Sequence, residues 1–74
     1  MSFNKRFLSK DSIKNYAKSS DSFHWFQRYM VYADAYIIED DGTGWASKFY
    51  DEFGKAGENS EKRKDMFEQL KNEQ

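Results

Sequence analysis

The 74-residue chain has no cysteine, no proline and a single histidine, His24. Without cysteine there is no disulfide and no thiolate metal site, and one histidine is too few for a histidine-rich metal site. No metal and no cofactor are therefore expected. A small chain without cysteine suits a reducing compartment, and the expected location is the cytoplasm. Without proline, helix breaks must come from glycine and from Ser, Asp and Asn caps. No apolar run approaches the roughly 18 residues a membrane span requires. The start, Met1-Ser2-Phe3-Asn4-Lys5-Arg6-Phe7-Leu8, has charge but no apolar stretch behind it, so no secretory signal is expected.

Aliphatic residues are also scarce: Leu8, Ile13, Val31, Ile37, Ile38 and Leu70. Seven Phe, five Tyr and two Trp take their place, making the chain 19% aromatic. The core must be built from rings, each burying about 150–250 Å². So many rings are hard to hide in one small domain spanning residues 1–74, and some are expected in an interface. Net charge is −1 and uneven: residues 1–18 hold five bases and one acid, residues 19–60 three bases and eight acids. Residues 1–8 read as a flexible basic arm on an acidic body, although the opposite charges could equally dock within the fold.

The expected fold is all-α, a bundle of three to four short helices. Ser9 or Asp11 can cap a first helix whose apolar face is Ile13, Tyr16 and Ala17. Phe3, Phe7 and Leu8 lie off that face and read as a separate apolar anchor. Ser20-Asp21-Ser22 is a helix-start signal for a helix over 23–39. In it Phe23, Phe26, Met30, Ala33 and Ile37 form a core face. Trp25, Tyr29, Tyr32 and Tyr36 form an aromatic stripe beside that face, spaced four, three and four. Gly42 can end this helix in a left-handed conformation. Thr43 can cap the next, in which Trp45, Phe49, Phe53 and Ala56 share a face, with Gly54 or Gly57 at its end. Asn59 or Ser60 caps a last helix with a narrow apolar face of Met66, Phe67 and Leu70, its other residues lying outside. The alternative is an α+β fold: Tyr29–Ile38 is rich in β-formers, and Asp41-Gly42 is a favoured hairpin turn that would pair it with 43–53.

Several apparent motifs fail on spacing. Glu39-Asp40-Asp41-Gly42-Thr43-Gly44 resembles a cation loop, but a calcium loop needs Gly sixth and a bidentate acid twelfth. Gly44 as sixth puts Tyr50 twelfth, and Gly42 as sixth puts Ile37 first. Gly42-Thr43-Gly44 lacks both the third glycine of a dinucleotide fingerprint and the Lys-Ser/Thr pair of a P-loop. His24 has a suitable unperturbed pKa for a general base, but no nucleophile at matching spacing, and it points away from the core face. Asp51 and Glu52 are adjacent on a helix and point about 100° apart. No catalytic residue is proposed, and the chain reads as a non-enzyme. Glu61-Lys62-Arg63-Lys64-Asp65 reads as a surface helix with intrahelical pairs such as Glu68 with Lys71.

The aromatic stripe remains, because Trp and Tyr are enriched in binding hot spots. The expected function is a protein-binding module, a small regulator or inhibitor that occupies a partner's surface. Trp25, Tyr29, Tyr32 and Tyr36 would anchor it, and Asp34, Glu39, Asp40 and Asp41 would steer it, with Asp51 and Glu52, towards a basic partner surface. Acids at a helix C-terminus oppose the helix dipole, which favours an external basic partner for them. A homodimer through the stripe is compatible with this reading. In size and composition the chain is similar to small phage-encoded inhibitors of host nucleic-acid enzymes or defence systems, a likeness no motif carries. The alternative function is a nucleic-acid-binding regulator using Lys5, Arg6, Lys10 and Lys14, with Phe3, Phe7 or Tyr16 stacking on bases.

Overall fold

The computed structural model describes residues 6–31, 35–39, 41–57 and 59–73. In chain order these form β1 (Arg6–Leu8), α1 (Lys10–Ser19), α2 (Phe23–Val31), β2 (Ala35–Ile37), α3 (Trp45–Lys55) and α4 (Ser60–Asn72). The four helices are the expected bundle. The two short strands pair in parallel, with Arg6 opposite Ala35, Phe7 opposite Tyr36 and Leu8 opposite Ile37.

Local signals account for most helix ends. Ser9 caps α1, accepting from the Ser12 amide at 3.1 Å while Ser12 Oγ accepts from the Ser9 amide at 2.8 Å. This is a capping box with serine at both positions, satisfying two otherwise orphan donors. Helix α2 begins directly after Ser20-Asp21-Ser22. Asn59 caps α4 by accepting from the Lys62 amide at 3.1 Å. Helix α3 departs from expectation: its N-cap is Gly44, left-handed at φ 76°, and Thr43 sits one residue earlier, where its hydroxyl accepts from the Trp45 amide at 3.3 Å. A left-handed backbone at the cap favours glycine.

The expected helix over 23–39 is replaced by a helix to Val31 and a strand from Ala35. The β-formers of this run are thus used, but the hairpin alternative is not: residues 45–55 are helical, and the partner of β2 is β1. Pairing with β1 places Ile37 beside the buried Leu8, a contact that a helical phase would not provide. Leu8 is fully buried, so residues 6–8 are tied to the body; the earlier part of the expected arm lies outside the described residues.

β1 and the four helices each contribute one narrow face to the core: Leu8 from β1, Ile13 and Ala17 from α1, Phe26 and Met30 from α2, Ala46, Phe49 and Phe53 from α3, Phe67 and Leu70 from α4, with Ala35 and Ile37 of β2 packed against it. The spacings of three, four and seven are those of one helical flank. Phe26 is the hub. Its ring lies 5.0 Å from Phe67, 5.7 Å from Phe53 and 6.5 Å from Phe49 between centroids. The Phe53 and Phe49 contacts are edge-to-face, the arrangement favoured by the ring quadrupole.

Helix α4 is less superficial than its charge suggested. Arg63 is buried, with Nε donating to the Phe53 carbonyl at 2.8 Å, Nη2 to the Gly54 carbonyl at 3.3 Å and Nη1 to Gln27 Oε1 at 3.0 Å. Its guanidinium also covers the Phe53 ring at 4.8 Å. Lys71 reaches across to the end of α1, donating to the carbonyls of Ser20 at 2.8 Å and Ala17 at 3.2 Å, rather than serving the expected pair with Glu68. Both cations sit against helix C-termini, where the backbone dipole favours positive charge.

Candidate functional site

The aromatic stripe is not one helical flank. Trp25 lies on α2 and is 56% exposed, with the Arg28 guanidinium 5.8 Å from its ring and His24 edge-on at 5.5 Å. Tyr29 turns inward. It stacks on Tyr16 of α1 at 4.0 Å with ring planes 6° apart, and its hydroxyl approaches the Phe7 carbonyl at 3.5 Å. Tyr29 is therefore a tie between α2, α1 and β1. Tyr36 lies on β2, and Tyr32 lies outside the described residues. The four residues share a helical phase only if the helix runs to 39, and it gives way to a strand.

A different ring surface takes the stripe's place. Leu8, Ala35 and Ile37 face the core from the sheet, so the alternating side chains of Phe7 and Tyr36 face outward. Their rings stack across the strands at 5.5 Å, and they are 59% and 49% exposed. Val31 at the end of α2 and Ile38 just after β2 are exposed as well. The sequence pattern groups Phe7 with the apolar anchor and marks neither Val31 nor Ile38. The signal for Phe7 was its adjacency to Leu8, because neighbouring strand residues point to opposite faces.

The acidic residues have an internal role. Glu39 Oε2 accepts from the Ser47 amide at 3.2 Å and also from the Ser47 hydroxyl. Asp41 Oδ1 accepts from the Thr43 amide at 3.0 Å and the Thr43 hydroxyl at 2.7 Å, while Oδ2 pairs with Lys10 at 3.1 Å. The Thr43 hydroxyl and amide, followed by the Lys10 ammonium, lower the Asp41 carboxyl from 3.8 to about 2. These carboxylates adjoin the N-terminus of α3, where negative charge is favourable. The expectation that they stand at a helix C-terminus, and so call for an external cation, is corrected by the end of α2 at Val31. Asp34 and Asp40 lie outside the described residues. Asp51 and Glu52 are exposed on α3, and Asp51 pairs with Lys55 one turn on, at 3.1 Å.

The basic residues are similarly engaged. Lys10 pairs with Asp41, and Lys14 pairs with Glu73 at 2.6 Å. Both ammonium groups also lie over the Trp45 ring, at 5.9 and 5.7 Å. Arg6 belongs to β1, and Lys5 lies outside the described residues. The opposite charges of the first helix and the body thus dock on each other, as the charge distribution allowed.

Among the described residues, no group of three or more His, Cys, Asp or Glu side chains could hold a metal ion, and no helix is long and apolar enough to cross a membrane. A shallow concavity on α4, lined by Asp65, Glu68, Gln69, Asn72 and Glu73, belongs to a single helix. It brings no second element to bear on a ligand. Compared with known protein families, characterised proteins and solved structures, the chain matches none.

Proposed function

We propose that the chain is a non-enzymatic protein-binding module, a small regulator or inhibitor that acts by covering part of another protein. The observation that supports this reading is the outward Phe7–Tyr36 stack on a parallel sheet. Parallel sheets are as a rule covered on both faces; here one face carries the core and the other carries two exposed rings. Trp25 adds a third large ring, already held by Arg28 and His24. Rigid rings lose little conformational freedom on binding and concentrate binding energy.

Recognition in this proposal rests on the rings. Glu39 and Asp41 are satisfied within the chain, so any basic character of the partner is secondary to an apolar contact. A cysteine-free chain suits a partner in a reducing compartment such as the cytoplasm.

The test compares wild type with a Phe7→Ser, Trp25→Ala, Tyr36→Ser triple variant as bait in the native host. The expected result is a protein retained by wild type and lost by the variant, with helical circular dichroism preserved. Hydrogen exchange of the captured complex should show protection at Phe7, Tyr36 and their neighbours. If the folded variant captures the same protein as wild type, the rings are not the binding surface.

A further inference from the structure

In the parallel ladder the Ile38 amide donates to the Leu8 carbonyl at 2.9 Å. Alternate residues of a strand direct their backbone groups to opposite sides. Tyr36 and Ile38 therefore bond towards β1, and Ala35 and Ile37 direct N–H and C=O away from it. Among the described residues, these outward groups have no hydrogen-bond partner. The opposite edge of the sheet differs. There the outward Phe7 carbonyl is approached by Ser12 Oγ at 3.4 Å and the Tyr29 hydroxyl at 3.5 Å. Among the described residues, the carbonyl of the β1 edge is engaged from within the chain, and neither the carbonyls nor the amides of the β2 edge are.

We infer that the open edge of β2 is filled by β2 of a second copy, antiparallel, about a two-fold axis through Tyr36. The parity of the strand fits this occupant. With Tyr36 opposite its own copy, Ala35 faces Ile37 of the partner and Ile37 faces Ala35. Each is then a hydrogen-bonded pair, and together they satisfy all four outward N–H groups and all four outward carbonyls. The result is a four-stranded sheet in the order β1-β2-β2-β1. The outward Phe7 carbonyl of each β1 edge is already engaged by Ser12 and Tyr29, so addition stops at two copies, a closed isologous dimer. A net charge of −1 presents little repulsion between copies.

Edge pairing leaves the outer face uncovered. The two Tyr36 rings become neighbours at a non-hydrogen-bonded position, where Cα atoms stand about 4.5 Å apart. The Phe7–Tyr36 stack of each chain then continues into the other, doubling the ring surface. The inference concerns the edge and does not depend on what binds the face.

The absence of cysteine makes the test clean. Tyr36→Cys introduces one thiol per chain, facing its copy across the two-fold axis within disulfide reach. Phe7→Cys places its thiols three strand spacings apart, about 14 Å. Under mild oxidation at equal concentration, Tyr36→Cys should form a covalent dimer about tenfold faster than Phe7→Cys. Sedimentation equilibrium of wild type should show the mass rise with concentration from 8.9 kDa towards twice that value. Ala35→Pro removes an outward N–H at the first residue of a strand, where proline is tolerated. It should hold the mass at one chain while helical circular dichroism persists. A wild type that stays at one chain at every concentration overturns the inference, as does equal crosslinking at the two positions. A folded Ala35→Pro that dimerises like wild type also overturns it, placing any self-association elsewhere. The ring-surface proposal survives any of these results, because its own test is loss of a captured partner.

Discussion

Phe26 and Tyr36 are both large rings in consecutive elements, and they have opposite surroundings. Phe26 is fully buried, with three other phenylalanine rings around it. Tyr36 is about half exposed and stacks on Phe7, which is more exposed still. In the helical body, faces from α2, α3 and α4 converge and satisfy one another. At the sheet corner, the inner face of the strand pair meets the body and the outer face carries the exposed Phe7 and Tyr36 rings. Two strands alone are marginal in water, so this corner depends on the body beneath it. The ring-rich composition is therefore used in two ways, buried where helices converge and exposed where two short strands stop.

The contrast is sharpest in stability. Phe26→Ala removes the hub of the ring cluster and should cost about 3–5 kcal/mol. That is much of what a domain of this size has, so most of the helical signal should be lost or the urea midpoint lowered drastically. A loss under about 1 kcal/mol would place the stabilising core elsewhere. Arg63→Met comes next. Methionine retains much of the apolar stem but leaves the Phe53 and Gly54 carbonyls and Gln27 without their shared donor. The expected cost is roughly 2–3 kcal/mol. Arg63→Lys should recover less than half of it, because an ammonium cannot reproduce the planar fork that meets three acceptors. Denaturant melts of the two variants decide this; if Lys matches Arg, charge alone is sufficient at this site.

Features set by local chemistry were legible in the sequence. The Ser9 cap, the Ser20–Ser22 start, the Asn59 cap and the Phe26/Met30 and Phe67/Leu70 faces all follow from spacings of four residues or fewer. The β1–β2 pairing was not legible, because three-residue strands show no useful periodicity and their partners are separated by two helices. The consequence reaches further: a helix running through Tyr36 would hold four rings on one flank and put Glu39 and Asp41 at a helix C-terminus, whereas the strand sends Tyr36 to the sheet and both acids to the start of α3. Arg63 was hidden in a run of charges. It was nonetheless marked by its position, four residues before Phe67 and seven before Leu70, on the stripe that packs inward. A charged residue in phase with the core face of a short helix is a candidate for capping a neighbouring helix.

The smallest expected effect concerns the turn that ties the sheet corner to the body. Asp41 joins the Thr43 turn to Lys10 on α1, and its carboxyl is lowered from 3.8 to about 2. A group with a folded pKa below its unfolded value contributes its full stabilisation above the unfolded pKa, and loses it as pH falls through the folded value. The contribution of Asp41 should thus be intact above about pH 4 and vanish towards pH 2. Because the site is open to water, the change should be smaller than that of either substitution above. A carboxyl-detected NMR titration of the folded chain should give Asp41 a midpoint near 2. Asp41→Asn separates its effect from that of other carboxylates titrating in the same range. The amide oxygen can still accept from Thr43, but the charge opposite Lys10 is gone. The variant should perturb Thr43, Trp45 and Lys10 resonances at neutral pH while leaving the Phe26 ring environment unchanged. A midpoint at the ordinary carboxylate value would mean that the turn does not hold Asp41 against α1. Equal perturbation of the Phe26 cluster would mean that corner and body are one cooperative unit, and that the contrast between them does not extend to their stability.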